Sequence, residues 1–137
     1  MSQYVTFDLD DTLYGVEVSW VQEVLRPHNR TRIPHSPETV SGLVNLRGQV
    51  VLTVDLRTRL EMAPRPEGVD PMMVVVQVAG EPVSLLVDRI GDVVRTEDDT
   101  YAAPPDTLDS ATRALVTGAH KLDDQLLLLL DVERAVA

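Results

Sequence analysis

The sequence predicts an all-β fold, built from short strands that close into a barrel or pack as a sandwich. Two observations favour this class. Apolar and polar residues alternate over short runs along most of the 137-residue chain, which is the period-two pattern of strands. Nine prolines and seven glycines interrupt the chain at short intervals, so few segments can continue as a helix. At this length we expect one domain, or two small subdomains that share a core.

Strand-like runs recur along the chain and are separated by clusters of Asp, Asn, Gly and Pro. The predicted strands cover residues 4–9, 13–18, both arms of 40–55, 72–78, 83–88, 90–96, 114–122 and 125–130. Short helical turns are expected instead at residues 19–25, 56–62 and 132–136. Irregular loops are expected at 26–37 and around Pro104-Pro105.

Two features suggest how these strands are grouped. The proline-rich stretch 62–71 is the best candidate boundary between two halves of the chain. The last predicted strand contains five consecutive leucines, Leu126–Leu130, a run too short to span a membrane. Because it lacks polar alternation, the run predicts a strand that is covered on both faces. Two small barrels packed against each other would cover it in this way.

The composition excludes several classes of partner. The net charge is −10 and aromatic residues make up only 4% of the chain. A phosphate backbone or an anionic membrane would be repelled by such a surface, so we expect no nucleic acid partner and no direct membrane insertion. The chain has no cysteine, which removes disulfides and thiolate metal sites, and its N-terminus does not resemble a signal peptide. We expect a cytoplasmic protein with no metal or other cofactor.

One short motif points to an enzyme. The segment Phe7-Asp-Leu-Asp-Asp-Thr-Leu-Tyr14 resembles the first motif of the haloacid dehalogenase-like phosphatases. In that family an apolar strand delivers an Asp-x-Asp-x-Thr loop. The resemblance implies Asp8 as nucleophile and Asp10 as general acid/base, with Mg²⁺ between them.

The surroundings of this motif favour a different role. The next segment is again a strand, so Asp10-Asp11 is expected in a hairpin turn and not at a strand-to-helix junction. The phosphatase family also needs a lysine and, well downstream of it, a further acidic pair, whereas the single lysine, Lys121, lies close to Asp123-Asp124. We therefore interpret the motif as an acidic turn between two strands and keep the phosphatase as the alternative.

Several segments, in order along residues 3–135, resemble the CheW family, the adaptors of bacterial chemosensory arrays. The most specific is Gly42-Leu-Val-Asn-Leu-Arg-Gly48, which is followed by Val54-Asp-Leu-Arg57. Val21-Gln-Glu-Val24 and the closing run 126–133 also match the family pattern. Together these segments are far more specific than the phosphatase-like motif, which stands alone.

The resemblance implies a single domain at residues 3–136, made of two small intertwined five-stranded SH3-like β-barrels that share a hydrophobic core. It implies a non-catalytic adaptor without cofactors, which couples the cytoplasmic tips of methyl-accepting chemoreceptors to the regulatory domain of a CheA-type histidine kinase. A third interpretation, a barrel that binds a small molecule, would require an enclosed cavity.

The resemblance also implies two contact surfaces. The receptor groove would lie between the subdomains and include Val21, Glu23, Val24, Arg47, Val87 and Ile90. The kinase contact would use a loop and an adjoining strand of the first barrel, at Ile33, Pro34, Val40 and Gly42. We further expect Arg47 to pair with Glu23 and fix the wall of the groove, because a shielded arginine among apolar neighbours needs a carboxylate partner.

Overall fold

The computed structural model describes residues 2–26, 40–66, 68, 70–97, 100–123 and 125–136. Within these ranges the chain forms eleven strands in two sheets, together with three short α-helices. The prediction of an all-β fold is therefore confirmed. No helix in the described ranges has the length and apolar character needed to cross a membrane.

The strands follow the alternating runs of the sequence closely. They are β1 (Ser2–Leu9), β2 (Thr12–Glu17), β3 (Val21–Leu25), β4 (Val40–Leu46), β5 (Gln49–Asp55), β6 (Met72–Val78), β7 (Glu81–Val87), β8 (Arg89–Thr96), β9 (Tyr101–Ala102), β10 (Val116–Lys121) and β11 (Leu126–Leu130). The helices are α1 (Leu56–Arg59), α2 (Ser110–Leu115) and α3 (Val132–Val136), and a single 3₁₀ turn covers Val18–Trp20.

The two sheets use the chain in an interleaved way. The first has the strand order β8-β1-β2-β11-β10-β9, and the second has the order β3-β6-β7-β5-β4. The first sheet thus combines both ends of the chain, whereas the second uses its middle. The proline-rich stretch 62–71 joins β5 to β6 within the second sheet, so it is not the boundary between the sheets. That boundary falls before β3 and again after β7.

Side-chain alternation sorts the apolar residues into three clusters. One lies inside the first sheet and contains Tyr4, Leu13, Leu127 and Leu129. A second lies inside the other sheet and contains Val44, Leu46, Val51, Met73, Val75 and Leu86. The third joins the sheets, and its members include Phe7, Tyr14, Val54, Val74 and Leu85. Because successive side chains of a strand point to opposite faces, each sheet has its own interior and shares its other face with its neighbour.

The leucine strand shows this division most clearly. Leu127 and Leu129 belong to the interior of the first sheet, whereas Leu128 and Leu130 belong to the core shared with the second sheet. All four are buried. The prediction of a strand covered on both faces is confirmed, and β11 lies at the centre of the molecule.

Two local predictions are wrong. Residues 19–25 form the end of the 3₁₀ turn and then β3, not a helical turn. Their apolar spacing fits a helix, but Val24 and Leu25 pair with Val74 and Met73 of β6, which satisfies the backbone of both strands. The loop expected after Pro104-Pro105 ends at α2, whose first turn is capped by Asp109 Oδ1, accepting from Thr112 N at 2.8 Å.

Candidate functional site

The phosphatase-like motif lies in the hairpin turn between β1 and β2, as its surroundings predict. Leu9 pairs with Thr12 across the turn, and Asp10 has a φ of 54°. The Asp10 amide donates to Asp88 Oδ2 at 2.8 Å, while the Asp10 carboxylate accepts from Arg57 Nη2 at 2.5 Å. The carboxylate that the phosphatase alternative needs for acid/base chemistry is therefore held by an arginine of the fold.

Asp10 belongs to a larger ion-pair network around Asp88. Arg57 donates from Nε to Asp88 Oδ1 at 2.8 Å and from Nη2 to Oδ2 at 2.5 Å. Arg65 Nε donates to Asp88 Oδ1 at 2.8 Å and its Nη2 approaches Asp55 Oδ1 at 3.5 Å. The network connects α1, the segment after it, the end of β7 and the β1–β2 turn. It is the main polar link between the two sheets in the described part of the chain.

The network also changes the acidity of Asp88. Burial alone would raise the pKa of this carboxyl group, but the hydrogen bonds from Arg57, the Asp10 amide and Arg65 outweigh burial and lower the pKa to about 2. The pKa of Arg57 is raised above its usual value, mainly by the bonds to Asp88. Both groups stay charged at neutral pH, so the Arg57–Asp88 pair acts as a structural clamp.

A second ion pair involves the two residues that we expected to pair. Arg47 Nη1 donates to Glu23 Oε2 at 2.5 Å. Glu23 lies on β3 and Arg47 in the β4–β5 turn, so the pair joins the outermost strands of the second sheet and shows that its edges meet. The pair is shielded on one side only, however. The Glu23 side chain is 16% exposed but the Arg47 side chain is 75% exposed, so the expected shielding of Arg47 is absent and the contribution of the pair to stability is small.

The position of Arg47 follows from its turn. Arg47 has a φ of 52° and Gly48 a φ of 83°, and positive values at both central residues are typical of a type I′ hairpin turn. Asn45 Oδ1 accepts from the Gly48 amide at 2.9 Å, which further fixes the turn. Arg47 is thus presented at a hairpin tip, not within a strand.

The remaining residues expected at the receptor groove divide into surface and core. Val24, on β3, is 37% exposed. Val21 and Ile90 are partly buried, and both pack against the shared core from outside. Val87 has no exposed surface and belongs to the shared core itself. The position of Val87 therefore does not support a partner contact, and we omit it from the proposed surface.

The residues expected at the kinase contact are placed only in part. Ile33 and Pro34 lie outside the described residues. Val40 begins β4, where its backbone pairs with Val54, and a bulge separates this pair from Gly42. Gly42 is buried and has a φ of 142°, a conformation that a residue with a side chain rarely adopts. The requirement at Gly42 is therefore one of backbone conformation.

Sequence reasoning missed two features. The first is the Asp88 network, although its Arg57 ends the Val54-Asp-Leu-Arg57 segment that resembles the CheW family. The second is a partly open cleft of about 250 Å³ beside Trp20, lined also by Glu17, Leu129 and Asp131. Because the cleft is open, it does not provide the enclosed cavity required by the small-molecule interpretation. The described residues also contain no group of three or more His, Asp or Glu side chains that could hold a metal ion.

Comparisons with known proteins agree with this architecture. A family model described as the CheW-like domain matches residues 3–137. A probable chemotaxis protein CheW of Rhizobium etli is 29% identical over 131 residues, covering 96% of this chain and 84% of that protein. The chemotaxis protein CheW of Klebsiella aerogenes is 29% identical over 136 residues, covering 98% of this chain and 81% of that protein.

A solved structure gives the same result at the level of the fold. The crystal structure of the scaffolding protein TtCheW from Thermoanaerobacter tengcongensis superposes with a TM-score of 0.84 at 30% identity. The match covers 94% of this chain and 88% of that chain. The intertwined two-barrel prediction is thereby confirmed, with the two-residue β9 as a sixth strand in the first sheet. The chain belongs to the CheW family.

Proposed function

We propose that this chain is a non-catalytic chemotaxis adaptor, which couples chemoreceptors to a CheA-type histidine kinase on the cytoplasmic side of receptor arrays. One observation carries the proposal: the family match extends over residues 3–137 and the two-barrel fold is retained with it. The phosphatase alternative has no comparable support, because Asp10 lies in a hairpin turn and is bonded to Arg57.

The proposed receptor surface is the region around β3. Val24 is exposed on this outermost strand, and the Glu23–Arg47 pair lies beside it at the junction with the β4–β5 turn. A small cleft at this junction is lined by Glu23, Leu25, Asn45, Leu46 and Arg47. Exposed apolar side chains rimmed by charged groups are typical of a protein-binding surface. Val21 and Ile90 would extend it towards the shared core.

The proposed kinase surface includes β4, with Val40 at its start and Gly42 at its bulge. Ile33 and Pro34 complete this proposal from the sequence resemblance alone. The partner would be the regulatory domain of the kinase. β3 and β4 are the first and last strands in the order of the second sheet, and the Glu23–Arg47 pair connects β3 to the β4–β5 turn. The kinase surface on β4 would therefore lie across this junction from the receptor surface on β3.

Titration calorimetry tests the two contacts separately. The protein would be titrated with the CheA regulatory domain and with a receptor-tip fragment, both from the same organism. We expect saturable binding of each at micromolar affinity, about −8 kcal/mol. Arg47→Ala should weaken the receptor titration selectively, because the exposed guanidinium and its partner Glu23 lie on the proposed receptor surface.

The matched control is Arg95→Ala, which removes an exposed arginine from β8, a strand of the first sheet, whereas the β4–β5 turn belongs to the second. This variant should leave both titrations unchanged. Absence of binding to either partner by the folded protein would contradict the adaptor function. Equal losses in Arg47→Ala and Arg95→Ala would instead contradict the position of the receptor surface.

A further inference from the structure

The two sheets contain equivalent sites at the ends of their parallel strand pairs. In the first sheet Gly15 of β2 pairs with Leu129 of β11, and in the second sheet Ser84 of β7 pairs with Thr53 of β5. In each sheet an aspartate follows two residues after the paired position and directly precedes a helix. It is Asp131 after Leu129 in the first sheet and Asp55 after Thr53 in the second. Both aspartates cap their helices, because Arg57 N donates to Asp55 Oδ1 at 3.1 Å and Arg134 N donates to Asp131 Oδ1 at 3.2 Å.

The chain fills the site in the second sheet with its own arginines. Arg65, delivered by the segment after α1, lies against Asp55 and Asp88 and is only 11% exposed. Arg57, two residues after Asp55, donates to the same Asp88 carboxylate. The carboxylates at the end of β5 and β7 are thus neutralised by guanidinium groups that enter from α1 and from the segment that follows it.

Among the described residues, the equivalent site in the first sheet has no buried arginine. It is the cleft of about 250 Å³ beside Trp20, whose lining includes Glu17 and Asp131 but, in the described part of the chain, no basic residue. The position that corresponds to Arg57 is occupied by Glu133. Arg134 does approach Asp131, with Nε 3.4 Å from Oδ2, but its side chain is 64% exposed.

Apart from Thr117, the remaining lining of the cleft is apolar or aromatic. Leu129, Leu130 and Val132 contribute from β11 and α3, and Trp20 contributes from the 3₁₀ turn. Trp20 is partly buried and packs against the shared core. A long cationic side chain fits this combination, because its methylene groups pack on apolar surface while its charged end reaches carboxylates or an indole face.

We propose that this cleft binds an arginine or lysine side chain, flanked by apolar residues, from a segment of a partner protein. The inserted cation would reach Asp131, the counterpart of Asp55, together with Glu17 at the end of β2. In the second sheet Arg65 reaches Asp55 together with Asp88, which follows β7. The net charge of −10 would attract such a basic segment. The site is additional to the proposed adaptor contacts, because no residue of the proposed receptor or kinase surfaces lines it.

A short peptide tests the site without knowledge of the natural partner. Trp20 is the only tryptophan of the chain, so its fluorescence reports directly on the cleft. We expect acetyl-Leu-Arg-Leu-amide to cause a saturable change in Trp20 emission, with a dissociation constant on the order of 1 mM. The same peptide with citrulline in place of arginine keeps the shape of the side chain and removes its charge. It should bind at least about fivefold more weakly than the arginine peptide.

Three variants define which carboxylates are responsible. Glu17→Gln and Asp131→Asn should each weaken binding of the arginine peptide by about fivefold, and asparagine retains the oxygen that caps α3. Glu133→Gln is the matched control, because it removes an exposed charge from α3 that does not line the cleft, and it should leave binding unchanged.

Several results would overturn the proposal. These are equal binding of the citrulline and arginine peptides, an equal loss in Glu133→Gln, or no saturable change in Trp20 emission. A dependence of Trp20 emission on protein concentration without peptide, abolished by Glu17→Gln, would also overturn it. That result would identify a second copy of this chain as the occupant of the cleft. None of these outcomes depends on the receptor or kinase titrations, so the two proposals fail separately.

Discussion

Replacing Asp88 by alanine should destabilise the fold strongly, because Arg57 would remain buried without its main counter-charge. Only 4% of the Arg57 side chain and 7% of the Asp88 side chain are exposed. Removing one member of a buried ion pair costs about 3–5 kcal/mol, since the other charge is left uncompensated in a low-dielectric environment. We therefore expect the free energy of unfolding to fall markedly in this variant.

The contacts around Asp88 place the effect within this range. Its carboxylate accepts two hydrogen bonds from Arg57, one from Arg65 and one from the Asp10 amide. The Asp10 carboxylate remains as a partner of Arg57 in the variant, but it is 54% exposed and therefore screened. These contacts favour a loss at the lower end of this range, about 3 kcal/mol. That loss is a large share of the total free energy of unfolding of a domain, which is typically about 5–15 kcal/mol.

Urea unfolding, followed by Trp20 fluorescence, measures the effect directly. The midpoint should fall without a change in m-value, since the same surface is exposed on unfolding. Asp92→Ala is the matched control, because it removes an exposed carboxylate from β8, and its stability should stay within about 0.5 kcal/mol of the wild type. A loss below about 1 kcal/mol in Asp88→Ala would refute the reasoning that Asp88 is the essential counter-charge of a buried arginine.

Three further predictions follow from described contacts. The pKa of Asp88 is lowered from 3.8 to about 2. About 2 kcal/mol of stability should therefore be present above pH 4 and be lost as the pH falls towards 2. The Asp88→Asn variant should not show this loss when it is titrated with acid. Gly91→Ala would place a methyl group 2.5 Å from Thr6 Oγ1, which should cost about 1–3 kcal/mol in urea unfolding, and much less in a Thr6→Ala background. For the exposed Glu23–Arg47 pair, a double-mutant cycle on stability should give a small coupling that salt reduces, whereas strictly additive effects would contradict the pairing.

Much of the fold could be predicted because its causes are local. Alternating runs and β-branched residues predicted β1, β2 and β4–β8 within a few residues. The unbroken apolar character of β11 predicted that both of its faces are covered, which in turn favoured two packed barrels. The turn at Arg47-Gly48 was also expected, because a glycine after a polar residue between two strands is typical of a tight hairpin.

The prediction failed at β3 because the deciding interaction is not local. The residues of β3 have apolar positions that fit one face of a helix as well as an edge strand. The choice depends on β6, whose edge lies beside this segment only after the second sheet has formed. A helical turn would have left the backbone of β6 without partners on that side, which outweighs a weak local preference.

The Asp88 network could not be predicted for a similar reason. Arg57 and Asp88 are separated by 31 positions in the sequence, and Asp10 lies in a hairpin turn of the other sheet. Nothing in the local sequence of these residues indicates a shared site. The helix α2 is a different case, since Asp109 is a good capping residue and a search for N-caps after Pro104-Pro105 would have found it.

The use of Asp10 explains why a phosphatase-like motif can occur in an adaptor. A catalytic carboxylate must face substrate, whereas the Asp10 carboxylate forms an ion pair with Arg57. The Asp10 amide donates to the Asp88 carboxylate. Apolar packing between the sheets is adaptable and does not by itself fix one relative orientation. The network supplies directional bonds that connect the hairpin of the first sheet to α1 and β7 of the second. We infer that it sets the relative orientation of the two barrels, and with it the relative placement of the proposed receptor and kinase surfaces.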